Sequence, residues 1–352
     1  MEEYEKEINE YIKHYYHYVY EENKKVFSLL PEIRTLFLYL EGWLTDFFNA
    51  YNFEIDWTKV SKADFVEKER IINNFYESLK VDFNMEEIIK NGAFEVSTHS
   101  LEEAFENHNY FLCGKCGKCG NDCAFDSIVV NNNGLITDAI VWIHEITHYR
   151  NNSKILRSEI SDLLTESISF AYELIFIDYL ERLGYKYEAA ALRNSIFYSL
   201  FYHTYNSYFG IQMLTVYQQF GKINEDNYNL MYSKEVPYDL VLEEFVSIFD
   251  GNDKDILFFL QYGLANALSF YMYTEYIKDN SFIKKIEELN SAIDNQSLEE
   301  CLSIIGIIDF YDNGLADMQN IDKIKEAIEQ VKANILANDY PLIRSKQKSS
   351  IT

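Results

Sequence analysis

Residues 137–150 read TDAIVWIHEITHYR, and within them 144–148 read His-Glu-Ile-Thr-His. On an α-helix, positions i and i+4 share a face, so His144 and His148 can address one metal ion from the same side. Glu145 is rotated by about 100° from His144, which lets it meet a water beside the ion without being a ligand. Thr137 or Asp138 can start the helix, and Ile140, Trp142, Ile143 and Ile146 give it apolar cover. The stretch therefore predicts a helix that is packed on most sides and carries a metal motif.

A catalytic zinc wants three protein ligands and one open position. A third histidine in the same run would need Gly at 151 and His at 154, where this chain has Asn151 and Lys154. The remaining solution is a carboxylate from the next helix, read in LRSEISDLLTESISFAYELIFIDYL. There Glu159, Asp162, Glu166, Ser169 and Glu173 recur at helical steps and share one face. Such a stripe is usually solvated. Here Leu163, Leu164, Ile168, Phe170, Leu174 and Ile175 flank it, so much of the helix must be buried and the stripe reads better as metal site. Glu166 is the preferred third ligand and Glu159 the alternative.

Upstream of the motif the chain changes character. Five of the thirteen glycines fall between 92 and 134, and SIVVNNNG (127–134) is a short β-type run ended by Asn and Gly. Ser127 to Val130 is expected as an edge strand able to pair with an extended peptide. Cys113, Cys116, Cys119 and Cys123 are spaced C-x2-C-x2-C-x3-C. A structural zinc, an iron–sulfur cluster, redox-labile thiols and an unliganded loop all remain open for them. Residues 1–95 read as helices, with apolar positions at Ile33, Leu36, Phe37, Leu40 and Leu44 and at Phe65, Ile72, Phe75 and Leu79. From Thr137 onward the pattern is helical again. The expected fold is mainly α with a small β-sheet patch beside the motif helix.

Composition agrees. Of 352 residues only 13 are Gly and 3 Pro, too few for the turns of a sandwich or barrel, and 48% are hydrophobic, ample for a core. With 31 Lys plus Arg against 57 Asp plus Glu the net charge is −26, which disfavours a phosphate backbone or an anionic membrane as partner. The 29 Tyr and 25 Phe read as an aromatic core and groove more readily than as a peptide-gripping surface. The start, MEEYEKEINEYIKHYYHYVYEENKK, has no apolar run of a signal peptide, and Val26 to Phe48 is interrupted by Pro31, Glu32, Arg34 and Glu41. The expectation is a cytoplasmic protein, its oligomeric state undetermined.

Three stretches resemble the thimet oligopeptidase and oligopeptidase F family of zinc metallopeptidases. FDSIVVNNNGLITDAIVWIHEITHYRNN (125–152) is similar to the family's strand, Asn-rich turn and zinc helix. TESISFAYELIFIDYL (165–180) is similar to its third-ligand helix, in which a second Glu follows the ligand by seven residues. QYGLANALSFYMYTEYIKDNSFIKKIEELNSAIDNQSLEECLSIIGI (261–307) is similar to its C-terminal region. The resemblance implies a helical, zincin-like fold and one catalytic Zn2+ held by His144, His148 and Glu166. It also implies Glu145 as general base, Glu173 behind the ligands, and a peptide substrate. The expected organisation is a reduced N-terminal helical region at 1–95, a catalytic region at 96–340 and a flexible tail at 341–352, polar and basic from Arg344 onward. The chain departs from the family in a shorter N-terminal part, a shorter link from His148 to Glu166, and GNDKDILFFLQYG (251–263). The last has no His, and has Phe258 and Leu260 where the family has tyrosines; Tyr262 is nearby but not equivalent.

Among the other histidines, His14 and His17 read as surface or packing residues. His99 and His108 flank the irregular patch. His203 is a candidate to replace the family's missing histidine, though a helix histidine without chemistry is the simpler reading. The expected function is zinc-dependent hydrolysis of oligopeptides or a peptide precursor. The alternatives are a catalytically weak zinc-binding interaction protein and a redox or metal-sensing protein using the Cys cluster.

Overall fold

The computed structural model describes residues 51–53, 55–98, 114–116, 128–150, 159–232, 237–249, 256–293, 295–307, 318–337 and 343–345, with nine scattered positions among the first fifty. The helices are α1 (Phe65–Leu79), α2 (Met85–Lys90), α3 (Asp138–Arg150), α4 (Glu159–Arg182), α5 (Lys186–Phe220) and α6 (Glu225–Tyr232). They continue with α7 (Tyr238–Phe249), α8 (Ile256–Lys278), α9 (Ile283–Ala292), α10 (Leu298–Ile304) and α11 (Met318–Ala337). The strands are β1 (Tyr51–Phe53), β2 (Phe94–Thr98), β3 (Gly114–Cys116), β4 (Ile128–Asn132) and β5 (Ile343–Ser345). The fold is mainly helical, as the sequence predicts. No helix among the described residues is long and apolar enough to cross a membrane.

The chain divides into two compact units. One comprises Met1–Ala50 with Tyr198–Leu264, the other Tyr51–Phe197 with Ala265–Thr352. Residues 1–95, expected as one helical region, thus contribute to both. In the first unit Asn9 pairs with Ile223 in both directions, accepting from its N–H at 2.7 Å and donating to its carbonyl at 2.7 Å. The Tyr228 hydroxyl donates to Gln212 in the same core.

In the second unit α1 is started by Asp64, whose side chain accepts from the Glu67 N–H, and stopped by Lys80 in the left-handed region. Its buried face is Ile71, Ile72, Phe75, Tyr76 and Leu79, in line with the predicted spacing. The residues at 33, 36, 37, 40 and 44 lie outside the described ones.

The small sheet has the order β2-β4-β3, with β2 parallel and β3 antiparallel to β4. Ile128 faces both Phe94 and Cys116, and Val130 faces both Val96 and Gly114. This corrects the expectation of an edge strand at Ser127 to Val130. Its described part is the central strand, with its backbone groups engaged on both sides. The parallel partner β2 lies some thirty residues upstream, beyond what local pattern reveals. Of the cysteine cluster only the Cys116 backbone is described; Cys113, Cys119 and Cys123, with His14, His17, His99 and His108, lie outside the described residues. In the span expected as a tail, β5 pairs antiparallel with β1.

Helix α3 leaves β4 through Asn131–Gly134. Gly134 has φ 77, a conformation that suits glycine. The Asp138 carboxylate turns back onto this bend rather than forward along the helix. It accepts from the Asn133 N–H (2.9 Å), the Leu135 N–H (3.1 Å) and Asn133 Nδ2 (3.1 Å). It also accepts from Lys68 Nζ of α1 at 2.6 Å, and Lys68 donates as well to Asn132 Oδ1 at 2.5 Å. The Lys68 side chain is wholly buried, and its ammonium lies 5.1 Å from the centre of the Trp142 ring. Burial drives the Lys68 pKa down, and the attraction of Asp138 offsets only part of that. A buried cation with these partners fixes the point at which strand becomes helix.

Candidate metal centre

Helices α3 and α4 pack on each other more extensively than on any other described element. From Asp138 to Thr147 every residue of α3 is buried except His144, and from Leu163 to Ile177 every residue of α4 is buried except Thr165 and Glu166. These two openings coincide. His144 Nε2 lies 3.2 Å from Glu166 Oε2, His148 Nε2 lies 3.3 Å from Glu166 Oε1, and the two Nε2 atoms are 3.0 Å apart. His144, His148 and Glu166 form the one group of this kind among the described residues whose donor atoms all converge within 4.8 Å. Their side chains are 16%, 12% and 14% exposed, so the cluster is sheltered yet reachable.

The triangle suits a small cation. A tetrahedral ion with bonds near 2.0–2.1 Å separates its ligand atoms by roughly 3.3–3.4 Å, close to all three edges here. Two imidazole nitrogens at 3.0 Å repel through their lone pairs unless a proton or a cation lies between them. Behind the triangle, His144 Nδ1 is 2.5 Å from Glu173 Oε1, on a carboxyl side chain only 6% exposed. A carboxylate accepts, so Nδ1–H donates to it, and in the neutral ring the Nε2 lone pair is directed at the triangle. Glu173 lies about two helical turns beyond Glu166 on α4, which brings both carboxylates to the His144 ring. Phe170, noted in the sequence only as a flanking residue, stands with its ring 5.2 Å from that of His144 and closes the apolar side. The side chains of Glu159 and Asp162 lie outside the described ones.

Charge follows from this crowding. Burial pushes the Glu166 carboxyl up, but the two histidines outweigh it and hold it well below the ordinary carboxylate range. Burial opposes charge on His144, yet Glu166 and Glu173 more than offset it and raise the ring well above its ordinary value. A proton and a divalent cation compete for the same nitrogen. Burial raises Glu173, against the pull of His144. Glu145 is buried as well, and its pKa is raised by desolvation, with both histidines lowering it and Glu166 and Glu173 adding to the rise. A carboxyl shifted in this direction takes up and releases a proton closer to neutrality than an ordinary glutamate does.

The sequence left unnoticed three residues that meet behind the motif helix. Arg150, two positions after His148, donates to Glu287 Oε2 of α9 at 2.5 Å, and the Tyr172 hydroxyl donates to the other oxygen of the same carboxylate. In the other unit His203 Nδ1 lies 3.1 Å from Ser199 Oγ, and its ring is 5.2 Å from that of Tyr262. The side chains of Phe258 and Leu260 are outside the described ones. Cys301 is buried at 1% exposure, and burial raises its thiol to about 11, which keeps it unreactive.

No family model matches the chain, and no curated protein matches it in sequence. Among solved structures it is similar to one assigned as an oligoendopeptidase F from Bacillus anthracis strain Ames. The TM-score is 0.52 at 13% identity, covering 80% of this chain and 48% of that one. The chain thus spans about half the length of the structure it matches. At that identity the likeness is one of fold: a mainly helical architecture, here with a small sheet beside the helix that bears His144 and His148.

Proposed function

We propose that this chain is a zinc-dependent peptidase acting on oligopeptides or a peptide precursor. The observation that carries the reading is the convergence of His144 Nε2, His148 Nε2 and the Glu166 carboxylate into a triangle with edges of 3.0–3.3 Å. The donor set of two imidazoles and one carboxylate, with a further carboxylate behind one imidazole, fits Zn2+ as a single catalytic ion. When bound, the ion lowers the pKa of water at its open position towards neutral and polarises a carbonyl oxygen.

The chain's own residues do the rest. His144 and His148 supply nitrogen ligands from successive turns of α3, and Glu166 supplies a carboxylate oxygen from α4. Glu173 holds the His144 ring in the tautomer that leaves Nε2 free to bind. Glu145 acts as general base: its carboxylate takes a proton from the attacking water and passes it to the departing amine nitrogen, and its raised pKa suits both halves of that transfer. Phe170 and the buried flanks of α3 and α4 shelter the site from bulk water. With β4 engaged on both sides, a substrate strand has β2 or β3 as its partner rather than β4. The net charge of −26 favours basic or neutral peptides over acidic ones.

The test combines metal analysis with cleavage of a mixed peptide library by wild type and Glu145→Gln. The reading requires one zinc per chain in both proteins and cleavage only in wild type. Equal cleavage by both removes Glu145 from the chemistry. One bound zinc without cleavage in wild type replaces the peptidase reading with that of a metal-binding interaction protein.

A further inference from the structure

We infer that Arg150, Glu287 and Tyr172 are positioning residues that set the metal affinity of the site without touching the ion. The inference rests on the metal site proposed above. Arg150 ends α3, and its Nη2 donates to Glu287 Oε2 at 2.5 Å. The second oxygen of Glu287 accepts from the Tyr172 hydroxyl. The Arg150 guanidinium also lies 5.1 Å from the ring centre of Tyr76 and 5.7 Å from that of Tyr172, against a pair of buried rings whose own centres are 5.7 Å apart. Tyr76 reaches α3 a second time, its hydroxyl 3.5 Å from Thr147 Oγ1. Helices α1, α3, α4 and α9 therefore meet on one guanidinium.

The chain positions show what this clamp controls. Arg150 follows the ligand His148 by two residues, about 200° around α3, so it grips the side of the helix turned away from the ligands. Tyr172 directly precedes Glu173, the residue that holds the His144 ring. Glu287 thus ties the back of the histidine helix to the back of the carboxylate helix, and a shift of either along its axis would stretch the triangle. A metal site tolerates little of this, because ligand groups must be held within fractions of an ångström of their working geometry. Arginine suits the task since its planar fork and flat face bind a carboxylate and two rings together, which a lysine does not do.

A second cluster of similar chemistry, one arginine and one tyrosine on carboxylates, supplies an internal control. Arg193 donates to Asp178 Oδ1 and Glu181 Oε2, both at 2.5 Å, and the Tyr273 hydroxyl donates to Asp178 Oδ2 at 2.7 Å. It joins α4, α5 and α8, and none of these hydrogen bonds involves α3.

The experiment measures Zn2+ affinity of the full chain by chelator competition, with the visible absorption of the Co2+ form as a reading of coordination geometry. Wild type is compared with Glu287→Gln, Tyr172→Phe, Arg150→Lys and the control Arg193→Lys, each checked for folding by thermal unfolding. The expected result is about ten- to a hundredfold weaker binding in the three clamp variants, with altered Co2+ absorption. Arg193→Lys should bind as wild type does even where its unfolding temperature falls equally. Glu287→Gln with Tyr172→Phe should lose less than the sum of the two singles, because both act through one carboxylate. If wild type binds and the clamp variants bind equally well, or lose no more than Arg193→Lys does, the inference is overturned and the metal site stands. If wild type itself binds no metal, both fall.

Discussion

Replacing Glu173 by glutamine probes the site through a group that need not touch the ion. In the folded chain His144 Nδ1–H donates to Glu173 Oε1 at 2.5 Å, deep behind the triangle. A hydrogen bond to a charged partner contributes about 1.5–3 kcal/mol, and each 1.4 kcal/mol is tenfold in an equilibrium constant. The amide keeps a neutral acceptor of the same size, so part of the interaction survives. If instead it turns its NH2 towards Nδ1, the ring must move its proton to Nε2, and the ligand lone pair is lost. Zn2+ affinity of Glu173→Gln is therefore expected to fall by about ten- to a hundredfold while the helical fold persists. Chelator competition at fixed pH gives the affinity, and circular dichroism checks the fold. Unchanged affinity in a folded variant would refute the reasoning that Glu173 fixes the ring, and with it the assignment of Nε2 as the ligand atom.

Three further outcomes follow from the same geometry. Because Glu166 and Glu173 raise the pKa of the metal-free His144 ring, the ring holds a proton more firmly than an ordinary imidazole and the ion must displace it. Calorimetry in buffers of different ionisation enthalpy should thus find proton release on Zn2+ binding and affinity rising with pH; binding without proton release contradicts it. In the metal-free chain the same shift stabilises the fold fully below the unfolded value near 6.5, and that contribution is lost as pH rises through the folded value. Lys68→Met leaves the Asp138 carboxylate with its N–H donors but no cation, which places its cost near the lower end of about 3–5 kcal/mol. The unfolding temperature should drop by about 6–12 °C, against little change for Lys59→Met at the exposed Lys59–Asp56 pair, and equal shifts would remove the special role of the buried ammonium. Iodoacetamide should label Cys301 only after unfolding, since its thiol is 1% exposed and raised to about 11; rapid native labelling counters this.

What the sequence conveyed, and what it withheld, divides along chain distance. The helix at 138–150, its two histidines on one face and the acid stripe of the next helix are all local patterns, and local spacing is what an amino-acid sequence displays. Glu166 and Glu159 share that stripe, so spacing alone did not choose between them; the structure brings Glu166 to the histidines. Asp138 was legible as a residue at the helix start, but not as an acceptor facing back to Lys68, because that pairing joins positions 70 apart. Arg150 and Glu287 are 137 apart, and an arginine at a helix end looks the same whether it meets solvent or a distant carboxylate. The central place of β4 was hidden for a similar reason, since its parallel partner comes from before a long connection.

The short separation of the residues in the proposed metal site also bears on the order in which the chain assembles. His144 and Glu173 are 29 positions apart, whereas the Arg150–Glu287 clamp closes over 137. Loop-closure entropy makes the longer contact costlier by about 1.4 kcal/mol on length alone. The α3–α4 hairpin is thus the cheaper nucleus, and an ion captured there early would act as a template, holding two helices in register until the distant segments arrive to lock them.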